Sequence, residues 1–181
     1  MHIHIENRTF DEISLGDRAE LTRVVQQSDI ELFAVLSGDI NPAHLDEEYA
    51  NASKFQGVIA HGMWGGALVS TLLGTQLPGP GTIYLQQSLQ FKYPVRPGDE
   101  VTVSVEVREK RDEYRHVLLD CQAVNQAGKV VISGEALVMA PKVKVRRPVP
   151  QVPEVLLLHA GEQIEDQAAA APPRVEVFRA A

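Results

Sequence analysis

The stretch Ile59-Ala-His-Gly-Met-Trp-Gly-Gly-Ala-Leu-Val-Ser-Thr-Leu-Leu-Gly74 decides the fold of this chain. It is apolar nearly all round a helical projection, which is typical of a helix that is buried on most sides. It also carries Gly62, Gly65, Gly66 and Gly74, and each interior glycine costs a helix roughly 0.5–1 kcal/mol relative to alanine. We therefore expect a sheet or a ligand to pack very close to the backbone of this helix.

The residues after this helix follow a period of two, which indicates β-strands. Strands are predicted over residues 83–93, 101–107, 115–124 and 129–138, and an earlier strand over 19–25. Strands that cluster after helices favour an α+β fold with an antiparallel sheet. The pattern predicts a curved antiparallel sheet wrapped around the single buried helix.

Two shorter helices are predicted upstream of the buried one. Ser28 and Glu31 have the spacing of a capping box, which predicts a helix over 29–37 that stops at Gly38. This helix delivers Asp39 just past its carboxyl end. A second short helix is predicted over 46–52.

The segment Ser37-Gly-Asp-Ile-Asn-Pro-Ala-His44 carries the main candidate chemistry. Its Asn-Pro turn can bring the carboxylate of Asp39 and the imidazole of His44 to one side of a pocket. Such a pair can orient a water molecule and exchange a proton with a substrate, which is worth roughly 10²–10⁴-fold per group. Asn41 is positioned to hydrogen-bond the turn or to hold the carboxylate. Taken alone, the pattern also suits a helix-capping aspartate and a surface histidine.

His61 and Gly62 stand at the entry to the buried helix. The N–H groups at a helix N-terminus lack partners and lie at the positive end of the helix dipole. A glycine there lets a ligand oxygen approach closely, as in an oxyanion hole, where one donor is typically worth about 10²–10³-fold. Gly62 could instead be needed only for packing, and His61 is expected to be structural rather than catalytic.

Composition and motifs exclude several classes of protein. With 17 basic and 24 acidic residues the net charge is −7, and no basic stripe favours nucleic acid. We find no signal peptide and no run of about 18 apolar residues, so we expect a soluble, cytoplasmic protein without membrane contact. Phosphate-loop and nucleophile-elbow motifs are missing. No cofactor and no metal are expected, because the histidines lack metal-ligand spacing.

Residues 142–181 differ in amino-acid composition from the rest of the chain. They hold 5 of the 11 prolines and a run of four alanines, which is typical of a tail or linker. We therefore predict one domain over residues 1–141 followed by a Pro/Ala-rich tail. Within that tail, Val155-Leu-Leu-Leu158 could dock on the core.

Several motifs, in order, resemble the MaoC-like, (R)-specific enoyl-CoA hydratases. They are Ser37-Gly-Asp-Ile-Asn-Pro-Ala-His-Leu-Asp46, Ala60-His-Gly-Met63, the segment 77–91, Pro94-Val-Arg-Pro-Gly-Asp99 and the run that starts at Gly134. The resemblance covers about residues 15–140 and is closest to the hydratase-like domain that some bacteria fuse to a phosphotransacetylase. It implies a hot-dog fold, in which a curved sheet wraps a central helix.

The resemblance also implies an activity: reversible addition of water to a trans-2-enoyl-CoA, giving the (R)-3-hydroxyacyl-CoA. It places the catalytic pair at Asp39 and His44, the N–H that polarises the thioester carbonyl at Gly62, and a serine near the active site at Ser70. It further implies a homodimer made by joining two sheets, with the CoA chain near that interface.

The remaining substrate-binding candidates are weaker. Asn41 belongs to the turn, whereas Met63 and Trp64 could line an acyl pocket or simply belong to the core. A chain of negative net charge needs local cations to bind CoA. The candidates are Lys92, Arg96, Lys110 and Arg111.

Two alternative functions stay open. One is a non-catalytic acyl-CoA-binding module, which would have no need of the Asp39–His44 pair. The other is a hot-dog acyl-CoA thioesterase. Such enzymes use a carboxylate on the central helix, and residues 60–74 contain no Asp or Glu.

Overall fold

The computed structural model describes residues 4–158 of the chain. Strands and helices follow one another in the order β1 (His4–Glu6), β2 (Arg18–Val24), α1 (Gln27–Ser37), α2 (Pro42–Leu45), α3 (Glu47–Ala52), α4 (Gly62–Thr75), β3 (Ile83–Phe91), β4 (Glu100–Arg111), β5 (His116–Asn125), β6 (Val130–Met139) and β7 (Arg146–Pro148). Five strands form an antiparallel sheet in the order β2-β4-β5-β6-β3. The predicted α+β, hot-dog architecture is confirmed, with all five expected strands in place.

The core lies between the sheet and α4. Val101, Val103 and Val105 of β4 are at most 1% exposed, and Leu72 and Leu73 of α4 are fully buried. Burial of apolar surface at roughly 25 cal/mol per Å² drives this packing. Neither α4 nor any other helix within residues 4–158 is long and apolar enough to cross a membrane.

Close packing at the helix glycines is confirmed at three positions and wrong at a fourth. A Cβ on Gly62 would lie 2.9 Å from Phe91 Cε1. A Cβ on Gly65 would overlap Ile132 Cδ1, and a Cβ on Gly66 would lie 3.1 Å from Leu89 Cδ1. Nothing lies within 4 Å of the corresponding position at Gly74. The helix begins at Gly62 with His61 as its N-cap, so the predicted entry at these two residues is confirmed, and residues 59–61 of the apolar stretch precede the helix.

The predicted cap of α1 is wrong. The helix begins at Gln27, and its capping box joins Gln26 and Asp29 instead of Ser28 and Glu31. The Asp29 carboxylate accepts from the Gln26 N–H at 2.9 Å and pairs with Arg23 at 2.7 Å. This ion pair from β2 makes Asp29 the better capping residue. The predicted stop at Gly38 is confirmed, because its φ of 76° is left-handed.

Residues beyond the predicted domain boundary contact the domain. Strand β7 pairs with β1, and the buried Asn7 ties both ends of the described chain together. Its Nδ2 donates to the carbonyls of Pro80 and Val143, and its Oδ1 accepts from the Val145 N–H. The expected docking of residues 155–158 is wrong, since Val155 and Leu158 are each 44% exposed.

Candidate active site

The turn after α1 is built by its own polar groups. Asp39 N donates to Ser37 Oγ at 3.1 Å, and Asn41 N donates to the Asp39 carboxylate at 3.2 Å. The Asn41 side chain accepts from Ala43 N and thereby caps α2, with Pro42 at the first helical position. Helix α2, which the sequence patterns did not predict, carries His44. The side chain of Asn41 therefore shapes the turn, while its backbone N–H holds the carboxylate.

His44 is 8% exposed and has a defined tautomer. Its Nδ1 lies 2.7 Å from the carbonyl oxygen of Ile59. A carbonyl only accepts, so Nδ1 carries the hydrogen and Nε2 carries a lone pair. Ile59 N in turn donates to the carbonyl of Ala43 at 3.3 Å, which joins α2 to the segment before α4. His44 is thus set to accept a proton at Nε2.

His61 caps α4 and reaches back to the turn. Its Nε2 lies 2.9 Å from the backbone carbonyl of Asp39. Its ring lies against that of His44, with centroids 3.8 Å apart, and 4.9 Å from the ring of Phe33. That His61 is structural rather than catalytic stays a prediction. The sequence signal for its contact with the site is its place directly before the first residue of a buried helix.

The N-terminus of α4 offers unpaired donors. Trp64 N donates to the His61 carbonyl at 3.0 Å. Among residues 4–158, the N–H groups of Gly62 and Met63 have no acceptor. Both residues are exposed. Two N–H groups at the positive end of a 14-residue helix are therefore available to an incoming oxygen.

These groups open into one cleft of about 700 Å³. Asp39, His44 and Gly62 all line it, so the structure brings the three candidate catalytic residues together. Its apolar walls come from α1, α4, the end of β3, β6 and the neighbouring loops. They include Phe33, Phe55, Met63, Trp64, Phe91, Val95 and Ile132.

Of the four predicted substrate-binding residues, two line the cleft and two do not. Met63 and Trp64 line the cleft, and Trp64 is also part of the core at 6% exposure. Asn41 does not line it. Ser70 does not line it either, and lies on the exposed face of α4.

The four basic candidates for CoA also differ. Lys92 lines the cleft, and so does Lys54, which no sequence pattern indicated. Arg96 is bound to the carbonyls of Phe55 and Gln56 near the cleft. The other two point elsewhere: the Lys110 ammonium donates to the carbonyls of Phe10 and Ile13, and Arg111 pairs with Glu109.

The fold also assembles a group of possible metal ligands. One ligand atom from each of Asp39, His44 and His61 lies within 4.8 Å of the others. Residues distant in sequence meet here, which local spacing could not reveal. Each histidine already commits one nitrogen to a backbone carbonyl, so only its second nitrogen is free to bind a cation. The absence of a metal stays a prediction.

A curved antiparallel sheet around one helix, with polar groups gathered at the amino end of that helix, defines the hot-dog class of proteins. Residues 12–124 match the family model described as the MaoC like domain, and this chain belongs to that family.

Relatives that this chain resembles over most of its length are named as hydratases and dehydratases. An (R)-specific enoyl-CoA hydratase of Rhodospirillum rubrum is 50% identical over 132 residues, or 73% of this chain and 91% of that protein. A 3-hydroxybutyryl-CoA dehydratase of Methylorubrum extorquens is 44% identical over 133 residues, covering 74% and 84%. The unliganded R-hydratase PhaJ1 of Pseudomonas aeruginosa superposes with a TM-score of 0.81 at 43% identity, covering 86% of this chain and 99% of that one.

Proposed function

We propose that this chain is an (R)-specific enoyl-CoA hydratase, which reversibly adds water to a trans-2-enoyl-CoA to give the (R)-3-hydroxyacyl-CoA. One observation carries the proposal. A carboxylate, an imidazole with a free lone pair and two unpaired helix-terminal N–H groups open into a single apolar cleft. The names of the relatives support the same activity and its stereochemistry.

The first part of the mechanism is polarisation of the thioester. The carbonyl oxygen of the substrate accepts from the Gly62 N–H, with the Met63 N–H beside it. These donors stabilise the negative charge that develops on that oxygen as C3 is attacked, and such a donor is typically worth about 10²–10³-fold. A side chain at position 62 would press on the wall of the cleft, because its Cβ would lie 2.9 Å from Phe91 Cε1.

The second part is delivery of water. Ligand atoms of Asp39 and His44 lie within 4.8 Å of each other, so one water at hydrogen-bond distance can touch both. As its oxygen bonds to C3, one O–H bond breaks and the proton passes to this pair. The enolate then takes one proton at C2, which restores the starting protonation of Asp39 and His44. Dehydration is the same path in reverse.

The cleft can bind both the acyl chain and the CoA part of the substrate. The acyl chain lies against the apolar walls, to which Trp64 and Met63 contribute. The phosphates of CoA are anionic and need cations at the mouth. Lys54 and Lys92 are exposed and line the cleft, so we assign this role to them.

A homodimer joined through β3 is part of the proposal. This strand is a sheet edge, and Ile83, Leu85 and Phe91 on it are 43–54% exposed. The opposite edge, β2, carries Arg18, Glu20 and Arg23, whereas the nine residues of β3 carry no charge. Long uncharged edges invite pairing with another chain, and a two-fold axis lets two copies satisfy each other.

The dimer is tested by light scattering after gel filtration. We expect a mass of twice 19.9 kDa for the wild type, and the single-chain mass for the double variant Ile83→Lys/Leu85→Lys, because the two charges block edge pairing. The matched control places the same two charges at exposed positions on the other edge, as the double variant Thr22→Lys/Val24→Lys. A wild-type protein that elutes as a monomer contradicts the proposed homodimer. Cytoplasmic location and kinship to phosphotransacetylase-fused domains remain predictions.

The activity is tested with crotonyl-CoA. We expect the enoyl absorbance to fall while the thioester stays intact, with a product of (R) configuration on chiral analysis. Release of free thiol would support the thioesterase alternative instead, although α4 contains no Asp or Glu that could act as its carboxylate. Saturable binding without turnover would support the non-catalytic module.

A further inference from the structure

His61 is the one residue within 4–158 with a buried side-chain nitrogen that has no hydrogen-bond partner. The residue is 3% exposed, and the unpaired atom is Nδ1. An unsatisfied buried polar group costs stability, typically about 1–3 kcal/mol. An apolar ring of similar size would avoid that cost. We therefore look for the role of this polar ring in the contacts of its other nitrogen, Nε2, and in the rings that pack against it.

The Nε2 atom and the ring of His61 each contact one member of the proposed acid/base pair, Asp39 and His44. Nε2 lies 2.9 Å from the Asp39 carbonyl oxygen, so Nε2 carries the hydrogen and Nδ1 the lone pair. This bond holds the backbone of the residue whose carboxylate faces the cleft. The ring packs against that of His44, with centroids 3.8 Å apart and planes at 32°. The ring of Phe33 also packs against it, with centroids 4.9 Å apart.

We propose that His61 is a positioning residue for the hydration reaction. Its Nε2–H fixes Asp39 through that residue's backbone carbonyl, and its ring fixes the ring plane of His44 by stacking. This inference rests on the proposed function.

Two variants separate the two actions. His61→Gln keeps an amide N–H near the position of Nε2 but removes the ring that stacks on His44. His61→Phe keeps the ring but removes the donor to Asp39. We expect each to lower kcat by about 10²-fold with KM for crotonyl-CoA little changed, because small misplacements of catalytic groups are that costly and the cleft walls remain. The matched control is His116→Gln on β5, outside the cleft.

A merely structural role predicts a different pattern. If His61 acts through Asp39 and His44, either variant placed on the double variant Asp39→Asn/His44→Ala should add almost no further loss. A further 10²-fold loss in that background overturns the proposal. So does wild-type kcat in either single variant, provided that the wild-type protein hydrates crotonyl-CoA. A wild type without that activity would refute the proposed function instead.

A measurement on the unaltered protein covers the case in which a variant fails to fold. Nitrogen-15 correlation spectra of the histidine rings distinguish the two neutral tautomers. We expect Nε2–H for His61 and Nδ1–H for His44 at neutral pH. A ring at His61 that carries its hydrogen on Nδ1 and none on Nε2 overturns the proposal, whatever the activity.

Discussion

The Nδ1 of His44 lies 2.7 Å from the carbonyl oxygen of Ile59, and this bond joins the two halves of the site. It anchors α2, which carries the imidazole, to the segment that leads into α4. Ile59 N returns a bond to the Ala43 carbonyl. The His44 imidazole is thereby held beside the helix end that offers unpaired N–H groups, as the proposed addition of water to a substrate bound at Gly62 requires.

Gly62→Pro should remove the oxyanion donor and keep the helix. Proline suits the first helical position, and the residue before it, His61, already has the extended φ and ψ of −58° and 135° that proline demands. Because the lost group is one N–H, we expect kcat for crotonyl-CoA to fall by about 10²–10³-fold. The control is Gly62→Ala, which crowds Phe91 equally but keeps the N–H. Equal rates for the two variants would contradict the role of this donor.

Asp39→Asn should cut kcat/KM for crotonyl-CoA by about 10²–10⁴-fold, since the amide cannot accept a proton. The Asn side-chain oxygen can still accept from Asn41 N, so the turn and the melting temperature should change little. Asp11→Asn makes the same chemical change at an exposed site remote from the cleft and should leave the rate unaltered. A rate for Asp39→Asn within a factor of two of the wild type would refute the assignment.

Lys54→Ala and Lys92→Ala should each raise KM for enoyl-CoA and weaken its dependence on salt. Attraction between exposed charges is screened over a Debye length of about 10 Å at 0.1 M salt. A pantetheine thioester without phosphates should show the same KM in wild type and variants. Lys110→Ala is the control, because that ammonium is bound to the Phe10 and Ile13 carbonyls. An equal effect on the pantetheine substrate would show that the lysines do not bind phosphates.

Asn7→Ala should destabilise the fold without affecting the rate of the folded enzyme. The change leaves three backbone groups unpaired beside a residue that is 1% exposed, so we expect a loss of about 2–3 kcal/mol and a melting temperature lower by roughly 5–10 °C. Removing residues 142–181 should have a similar effect, because it deletes Val143 and Val145.

Truncation after Pro150 is the matched control for that experiment. It retains β7 and both valines, so the melting temperature should stay close to that of the full chain. If truncation after Pro141 is equally harmless, residues 142–148 contribute nothing to the domain. The predicted boundary at 141 would then stand.

Cys121 should be unreactive in the folded protein. It is 3% exposed, and burial raises the pKa of its thiol to about 11. The ordinary thiol pKa is about 8.5, so the folded state holds this proton where the unfolded state loses it. Its contribution to stability is complete below about pH 8.5 and is lost as the pH rises toward 11.

Two measurements test the predicted burial and raised thiol pKa of Cys121. An aromatic disulfide reagent at pH 8 should label Cys121 only after denaturant is added. Cys121→Ala should show a flatter fall in stability between about pH 8.5 and 11 than the wild type. Rapid labelling of the native protein would contradict the burial that raises this pKa.

Local patterns predicted the elements because each element carries its own period. The five strands of the large sheet and the helix over residues 62–75 follow from alternation and from an apolar stretch. Asp39 and His44 were found because they share one turn. The short strands β1 and β7 were missed, since three residues show no period and pair only across the whole chain.

The sequence by itself determined the fold class, the family and three candidate catalytic residues, because these depend on periodicity and on motifs read within a few residues. Only the tertiary structure decided how they work together. The cap of α1 depends on Arg23 from a strand, the role of His61 on a carbonyl brought back by the fold, and the choice of Lys54 and Lys92 on which side chains reach the cleft. Each of these contacts joins residues that no local pattern relates.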